Sequence, residues 1–244
     1  MFKTNTIVKA IITTFVEKEA KMEFLLTFKV NEKIYLRNPE SSVLGKQIIK
    51  NAIDLIYELG FEHFTFKKLA NEMKTTEASI YRYFENKHRL LLYILNWYWL
   101  YMEFLVMFQL QNVTDTKTKL QIIIQLLTHE LPESAGKLDY NKKFLSQIVI
   151  VESSKVYLVK EVKEINENEV FKPYKDLCAK IAEVIIAYKP SYQYPKSLSS
   201  TLIETAHQQQ FFSVHLPKLT NVNPENSKEF TSQFLEDLLF KILL

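Results

Sequence analysis

The sequence predicts an all-α fold. Apolar residues recur at helical spacing from residue 44 onward, and breaks rich in Asn, Ser and Pro separate one such stretch from the next. The 244 residues include only 3 Gly and 7 Pro, too few for the turns of a β-sandwich or barrel, or for a glycine-rich nucleotide-binding loop. Hydrophobic residues make up 47% and charged residues 24% of the chain, the profile of a globular protein with a sizeable core.

Residues 1–41 are predicted to form an N-terminal extension. Within residues 1–21, apolar side chains at helical spacing alternate with lysines, which fits either a short amphipathic helix or a loosely attached tail. Apolar and polar residues then alternate on both sides of Asn31, which predicts a short β-hairpin near residues 23–37. The polar break at residues 38–42 supplies N-caps for the helix that follows.

Three short helices follow the extension. Apolar residues from Leu44 to Leu59 give the first helix one buried face, and Gly60 stands where helices commonly end. Thr65 can cap the second helix, and the third begins at residues 75–76, with Ile80 and Phe84 as its core pair. The spacing predicts a helix-turn-helix over residues 64–83.

The third helix carries a polar outer side, on which we place Thr76, Glu77, Ser79, Arg82 and Tyr83. Lysines surround it, and residues 66–89 have an excess of three positive charges. Such a helix can enter a DNA major groove while the lysines contact phosphates. The total charge of +3 is too mild to decide the matter, and amphipathic three-helix units also occur in proteins that never bind DNA.

A longer motif resolves this alternative. The run Ser79-Ile80-Tyr81-Arg82-Tyr83-Phe84, followed by Lys87 and Leu90-Leu91, resembles the signature of the TetR family of transcriptional regulators. The resemblance extends over residues 42–102. It implies a DNA-binding domain over residues 42–102, followed by a helical effector-binding and dimerisation domain over residues 103–244.

The resemblance and the helix positions together predict the DNA contacts. The predicted residues are Thr65, Lys67, Thr75, Thr76, Glu77, Ser79, Tyr81, Arg82, Tyr83 and Lys87. Family members place Tyr81 and Lys87 on phosphates. The chain departs from the family at Lys74, where a turn glycine is common, and at Glu77, whose carboxylate can only accept hydrogen bonds, for example from a cytosine amino group.

The family resemblance also implies partners. The last two helices of family members pair with those of a second subunit, so we expect a homodimer formed through the two C-terminal helices. A symmetric dimer fits a palindromic operator in double-stranded DNA. The expected function is that of a repressor released by a small-molecule effector of unknown identity.

The stretch from Leu90 to Leu110 allows two further interpretations. It is nearly as long and apolar as a membrane span, although Glu103 interrupts it, so a membrane-anchored helical protein with a span at residues 90–110 is the alternative to a buried helix. The stretch also contains a set of aromatic and polar residues that could line an effector pocket or simply pack in the core. These residues are Asn96, Trp97, Trp99, Tyr101 and Glu103.

The histidines and the cysteine do not indicate an enzyme. The five histidines show no close metal-ligand spacing and no nucleophile motif accompanies them, so we expect neither a metal nor a cofactor. His207 and His215 could share one helix face, and a structural role is expected for them. Cys178 is the only cysteine, which excludes an intrachain disulfide and favours a reducing, cytoplasmic location.

Overall fold

The computed structural model describes residues 28–129, 140–157, 160 and 162–244. Its regular structure is helical throughout the described residues, which confirms the predicted all-α class. The α-helices are α1 (Val43–Leu59), α2 (Phe66–Glu72), α3 (Glu77–Tyr81), α4 (Lys87–Leu110), α5 (Thr116–Thr128), α6 (Lys142–Glu152), α7 (Ser154–Tyr157), α8 (Val162–Glu167), α9 (Lys172–Tyr188), α10 (Pro195–His215) and α11 (Ser227–Ile242).

Helix α4 is the central element of the fold. Every residue from Leu90 to Met102 is buried, because α4 packs against α1, α5, α6, α7 and α9 on different sides. By length and composition the helix could cross a membrane, but 83% of its most apolar window is buried inside the protein. A helix that is hydrophobic all round and covered by other helices is a core element. The membrane span proposed as an alternative at residues 90–110 is therefore not supported, and the buried helix is.

The N-terminal segment differs from the predicted hairpin. Residues 1–27, with the expected amphipathic helix, lie outside the described residues, and residues 28–37 contain no strand. Instead, Phe28 packs edge-on against Trp97 at 5.3 Å between ring centroids, and Val30 and Ile34 are also buried. The alternation of apolar residues thus reflects an extended segment and a 3-10 turn, Glu32–Ile34, that cover the aromatic face of α4.

A second turn fixes the start of α1. The 3-10 turn Pro39–Ser41 lies directly against α1 at Gly45, where an added Cβ would fall 2.2 Å from the Pro39 carbonyl oxygen. Glycine is required by this approach. Ser42 caps α1 by accepting a hydrogen bond from the Gly45 amide at 3.1 Å.

The sequence also predicts breaks in the second half of the chain, at residues 112–116 and 132–136, near Pro173, and at residues 189–195 and 216–217. Those that fall on described residues agree with the structure. Residues 111–115 separate α4 from α5, and α10 ends at His215, directly before Pro217. The predicted loop at residues 132–136 lies outside the described residues. Helices α10 and α11 pack against each other and against α5, and α9 packs on α4, α5 and α10, so the second half forms one helical bundle around the end of α4.

Candidate nucleic-acid interface

Local capping chemistry builds the helix-turn-helix. The Thr65 hydroxyl accepts a hydrogen bond from the Lys68 amide at 3.2 Å, which satisfies a free donor at the start of α2. Phe64 before the cap and Leu69 four residues beyond it are both fully buried, which is the arrangement of a hydrophobic staple. Helix α2 is therefore fixed at its N-terminus by residues that adjoin it in sequence.

The turn between α2 and α3 contains a strained residue. Lys74 has a φ of 51°, in the left-handed region, and the Thr75 amide closes the turn by donating to the Ala70 carbonyl at 2.9 Å. A side chain other than glycine costs about 1 to 2 kcal/mol in this conformation. The turn thus keeps the geometry for which glycine is suited, and the chain bears the strain of lysine there.

Helix α3 presents a polar edge to solvent. Thr76 caps it by accepting from the Ser79 amide at 3.3 Å, and Ile80 and Phe84 anchor it from behind, both fully buried. Thr76, Glu77, Tyr81 and Arg82 are exposed, and Thr75 and Ser79 are half-buried. A short helix held by two apolar anchors, with its N-terminal half outward, has the geometry that reads base edges in a major groove.

Tyr83 does not belong to this edge: the prediction that its side chain faces outward is wrong, and its contact with DNA stays a prediction. The side chain is 2% exposed. Its hydroxyl hydrogen-bonds with that of Ser42 at 2.8 Å, and the Arg37 guanidinium lies 5.4 Å from the ring centroid. Tyr83 instead ties α3 to the segment before α1, because its carbonyl also accepts from the Leu36 amide at 2.8 Å.

Lys87 is occupied within the protein. Its ammonium group donates to three backbone carbonyls of the α1–α2 loop (residues 60–65), those of Phe61 at 2.9 Å, Glu62 at 3.2 Å and Phe64 at 3.2 Å. It also lies 4.6 Å from the Phe61 ring centroid. An ammonium has three N–H donors, so all of them are used to hold this loop. Lys87 therefore positions the α1–α2 loop, and its contact with phosphate stays a prediction.

Three other cations remain available around α3. Lys67, Lys74 and Arg82 are exposed, and within the described residues none of them forms an ion pair or donates a side-chain hydrogen bond. Lys68 differs, since its ammonium donates to the His63 carbonyl at 2.9 Å. The exposed cations flank the polar edge of α3, where phosphate groups would lie if the helix entered a major groove.

The α1–α2 loop is also held by two residues from the second half of the chain. The buried Glu152 carboxylate, at the end of α6, accepts from the Phe61 amide at 3.0 Å. Lys155 on α7 bridges Glu152 and Glu62, each at 2.8 Å. Burial lowers the pKa of Lys155, but the hydrogen bonds to Glu152 and Glu62 outweigh it and the net shift is upward. A carboxylate directly after the apolar run at residues 148–151 was the sequence feature that could have indicated this site.

The predicted effector residues divide into two clusters. Trp97 stacks on Tyr101 at 5.6 Å and meets the N-terminal segment, whereas Trp99 faces α7, α9 and α10. Asn96 is buried and Glu103 is half-buried. Burial raises the pKa of Tyr101 to about 12. Trp97 and Trp99 therefore face different parts of the fold, and the binding of an effector by these residues stays a prediction.

The Trp99 cluster combines aromatic rings with polar groups. The indole Nε1 donates to the Tyr157 hydroxyl at 2.5 Å, and Tyr174 lies 4.8 Å from Trp99 between ring centroids. His207 lies 5.6 Å from Trp99, and its Nε2 is buried without a hydrogen-bond partner among the described residues. Burial lowers the pKa of His207 to about 4, so the imidazole is neutral at pH 7.

Two surface clefts lie away from these clusters. One, of about 420 Å³, separates α1 from the start of α6 and is lined by Lys50, Asn51, Asp54, Leu55, Glu58, Glu72, Asn141 and Phe144. The other, of about 350 Å³, lies between the end of α4, the start of α5 and α9. Burial raises the pKa of Asp54 in the first cleft. Neither cleft includes a residue that the sequence predicted for effector binding.

The helix-turn-helix and the overall fold both resemble those of known proteins. Residues 48–94 match the family model described as bacterial regulatory proteins, tetR family. No curated protein matches the sequence. The fold is similar to that of AibR in complex with isovaleryl coenzyme A and operator DNA, with a TM-score of 0.54 at 14% identity over 78% of this chain and 97% of that one.

Two further structures share the fold. The fatty acid degradation regulator FadR from Bacillus halodurans has a TM-score of 0.53 at 18% identity, over 78% of this chain and 96% of its own. A putative transcriptional regulator from Saccharomonospora viridis, in complex with choline, has a TM-score of 0.57 at 16% identity, over 80% and 94%. The family match and the shared fold agree: residues 48–94 are similar to the helix-turn-helix segment of tetR-family regulatory proteins, within a chain whose fold resembles that of these regulators.

Proposed function

We propose that the protein is a cytoplasmic repressor that binds a palindromic operator as a homodimer and leaves it when a small-molecule effector binds. The polar edge of α3 carries this proposal. Arg82 and Glu77 are exposed on a helix whose back is fixed by Ile80. Lys67 and Lys74, which form no ion pair with any residue that the structure describes, flank it. Base-edge readers between phosphate anchors are what a sequence-specific DNA-binding surface requires.

The C-terminal helices support a dimer. Phe230, Phe234, Leu238 and Ile242 follow one another every four residues along α11, and all are at least partly exposed. Residues four apart share one helix face, and a large apolar stripe of this kind is a typical protein–protein contact. A Phe234→Glu variant should sediment as a monomer at micromolar concentration, whereas wild type should sediment as a dimer. A dimeric variant would contradict this interface.

The Trp99 cluster is our candidate for the effector site. A buried nitrogen without a partner costs free energy, which a ligand that hydrogen-bonds with His207 would recover. The aromatic rings of Trp99, Tyr157 and Tyr174 provide the apolar walls that small-molecule sites share. The structures of similar fold bound to isovaleryl coenzyme A or choline support the idea of an effector without identifying this one.

Selection of bound sequences from a random DNA pool tests the function directly. Wild type should enrich a palindromic site, and Arg82→Ala should bind that site at least tenfold more weakly, since a specific base contact contributes about 1 to 3 kcal/mol. Lys196→Ala, an exposed cation on α10, is the matched control and should bind as wild type does. The proposal fails if wild type enriches no sequence, and the assigned surface fails if Arg82→Ala binds normally.

A further inference from the structure

The α1–α2 loop is gripped from two different parts of the fold. Lys87 of α4 holds its carbonyls, as described above, and Glu152 at the end of α6 holds the amide of Phe61. The Phe61 ring lies near two ammonium groups, with its centroid 4.6 Å from that of Lys87 and 5.9 Å from that of Lys155. The loop that leads into the helix-turn-helix is therefore fixed by a side chain from the bundle that follows α4.

The same corner of the bundle reaches the Trp99 cluster. Tyr157 ends α7, two residues after Lys155, and accepts the hydrogen bond from Trp99. Its ring also stacks on Tyr174 at 5.7 Å between centroids, with 19° between the planes. Helix α7 is a single turn of four residues. It has few backbone angles that could absorb a displacement of Tyr157 before the displacement reaches Lys155.

We infer that Glu152 is a positioning residue that couples the Trp99 cluster to the DNA-binding domain through the corner formed by α6 and α7. This inference rests on the proposed function, since the coupling acts on DNA affinity. When the corner is seated, Glu152 and Lys155 fix the α1–α2 loop and hence the start of α2. When a ligand displaces Tyr157, Glu152 and Lys155 no longer hold the α1–α2 loop. The two recognition helices of the dimer then lose their fixed separation.

The chemistry of the corner makes it a switch with two states. Glu152 is buried, and its two oxygens meet one amide and one ammonium. A buried carboxylate cannot lose one of these partners gradually, because the remaining charge would be left uncompensated. The carboxylate is either seated with both partners or released to water. Two discrete arrangements are what coupling between distant sites requires.

Hydrogen–deuterium exchange of the peptide that spans residues 58–66 in the full-length protein tests the inference without an effector. Glu152→Gln removes the charge that pairs with Lys155, and Tyr157→Phe removes the distant acceptor of the Trp99 hydrogen bond. Each variant should speed exchange in this peptide by about tenfold. Glutamine keeps an oxygen that can accept from the Phe61 amide, but it loses the ion pair with Lys155 that holds the side chain in place, and Tyr157→Phe loosens the corner itself. Tyr188→Phe, a half-buried tyrosine on α9, is the control and should exchange as wild type does.

The Tyr157→Phe variant decides whether the Trp99 cluster is coupled to the α1–α2 loop. If Tyr157→Phe leaves exchange of the peptide unchanged while Glu152→Gln speeds it, the coupling is overturned and Glu152 acts locally. If neither variant changes it, the positioning role is overturned as well. Should Tyr157→Phe fold poorly, the double variant Trp99→Phe/Tyr157→Phe removes both partners and gives the same readout. DNA titration of the same proteins tests the proposed function separately. A wild type that binds no DNA refutes the proposed function, whereas the exchange rates alone decide whether the Trp99 cluster is coupled to the α1–α2 loop.

Discussion

Replacement of Lys87 by methionine should destabilise the protein even in the absence of DNA. Methionine keeps much of the aliphatic stem and removes the ammonium that donates to the carbonyls of Phe61, Glu62 and Phe64. Two of these hydrogen bonds are partly buried and contribute about 1 to 1.5 kcal/mol each, while the exposed one contributes little. We therefore expect the free energy of unfolding to fall by about 2 to 3 kcal/mol.

Urea unfolding measures this loss, with Lys67→Met as the matched control. Lys67 is exposed and has no ion-pair partner among the described residues, so its replacement should change stability by less than about 0.5 kcal/mol. The salt dependence of DNA binding should instead fall more for Lys67→Met than for Lys87→Met, because only a lysine that is free to contact phosphate contributes to counterion release. If Lys87→Met is as stable as wild type and only its salt dependence falls, Lys87 is a phosphate contact and its positioning role is refuted.

The remaining predictions concern the turn, the buried tyrosine and the buried histidine. Lys74→Gly should raise the free energy of unfolding by about 0.5 to 1 kcal/mol, because relief of strain at a φ of 51° exceeds the entropic cost of glycine; a destabilised variant in urea would contradict the strain. Tyr83→Phe should lose about 1 kcal/mol through the missing Ser42 hydrogen bond and keep wild-type DNA affinity; weaker binding by an equally stable variant would restore Tyr83 to the interface. The pKa of His207 is about 4 in the folded protein and 6.5 in an ordinary environment, so the unfolded chain binds a proton first as the pH falls. Between pH 6.5 and pH 5, wild type should therefore lose about 1 to 2 kcal/mol more stability in urea than His207→Asn, and equal losses would show that the imidazole is not buried.

The parts of the fold that were predicted from the sequence are those fixed by neighbours in the chain. Thr65 and Thr76 cap helices that begin at the next residue, and Gly60 follows α1 directly. The hydrogen bonds of both threonine caps span three residues, so the local sequence contains all the partners. The same holds for the strain at Lys74, which the departure from the family's glycine indicated before the φ angle was known.

The parts that were missed depend on contacts between distant residues. Tyr83 directly follows α3 and its cap, where the sequence predicts an outward DNA contact, but Arg37 and Ser42 cover it. Glu152 meets the Phe61 amide 91 residues away in the sequence. The alternation of apolar residues before residue 37 suits a strand as well as it suits the observed segment, and only the packing of Phe28 on α4 distinguishes the two. No local pattern distinguishes these cases, because which partner covers a side chain is decided by the tertiary fold.

The central claim is that α3 reads DNA bases, and the base preference of a Glu77→Gln variant tests it most directly. The Glu77 carboxylate can only accept hydrogen bonds, whereas glutamine both donates and accepts. Binding-site selection with the variant should change the preferred base at one position of each half-site and leave the rest of the palindrome intact. An unchanged preference at every position, with unchanged affinity, would show that this helix does not face the bases.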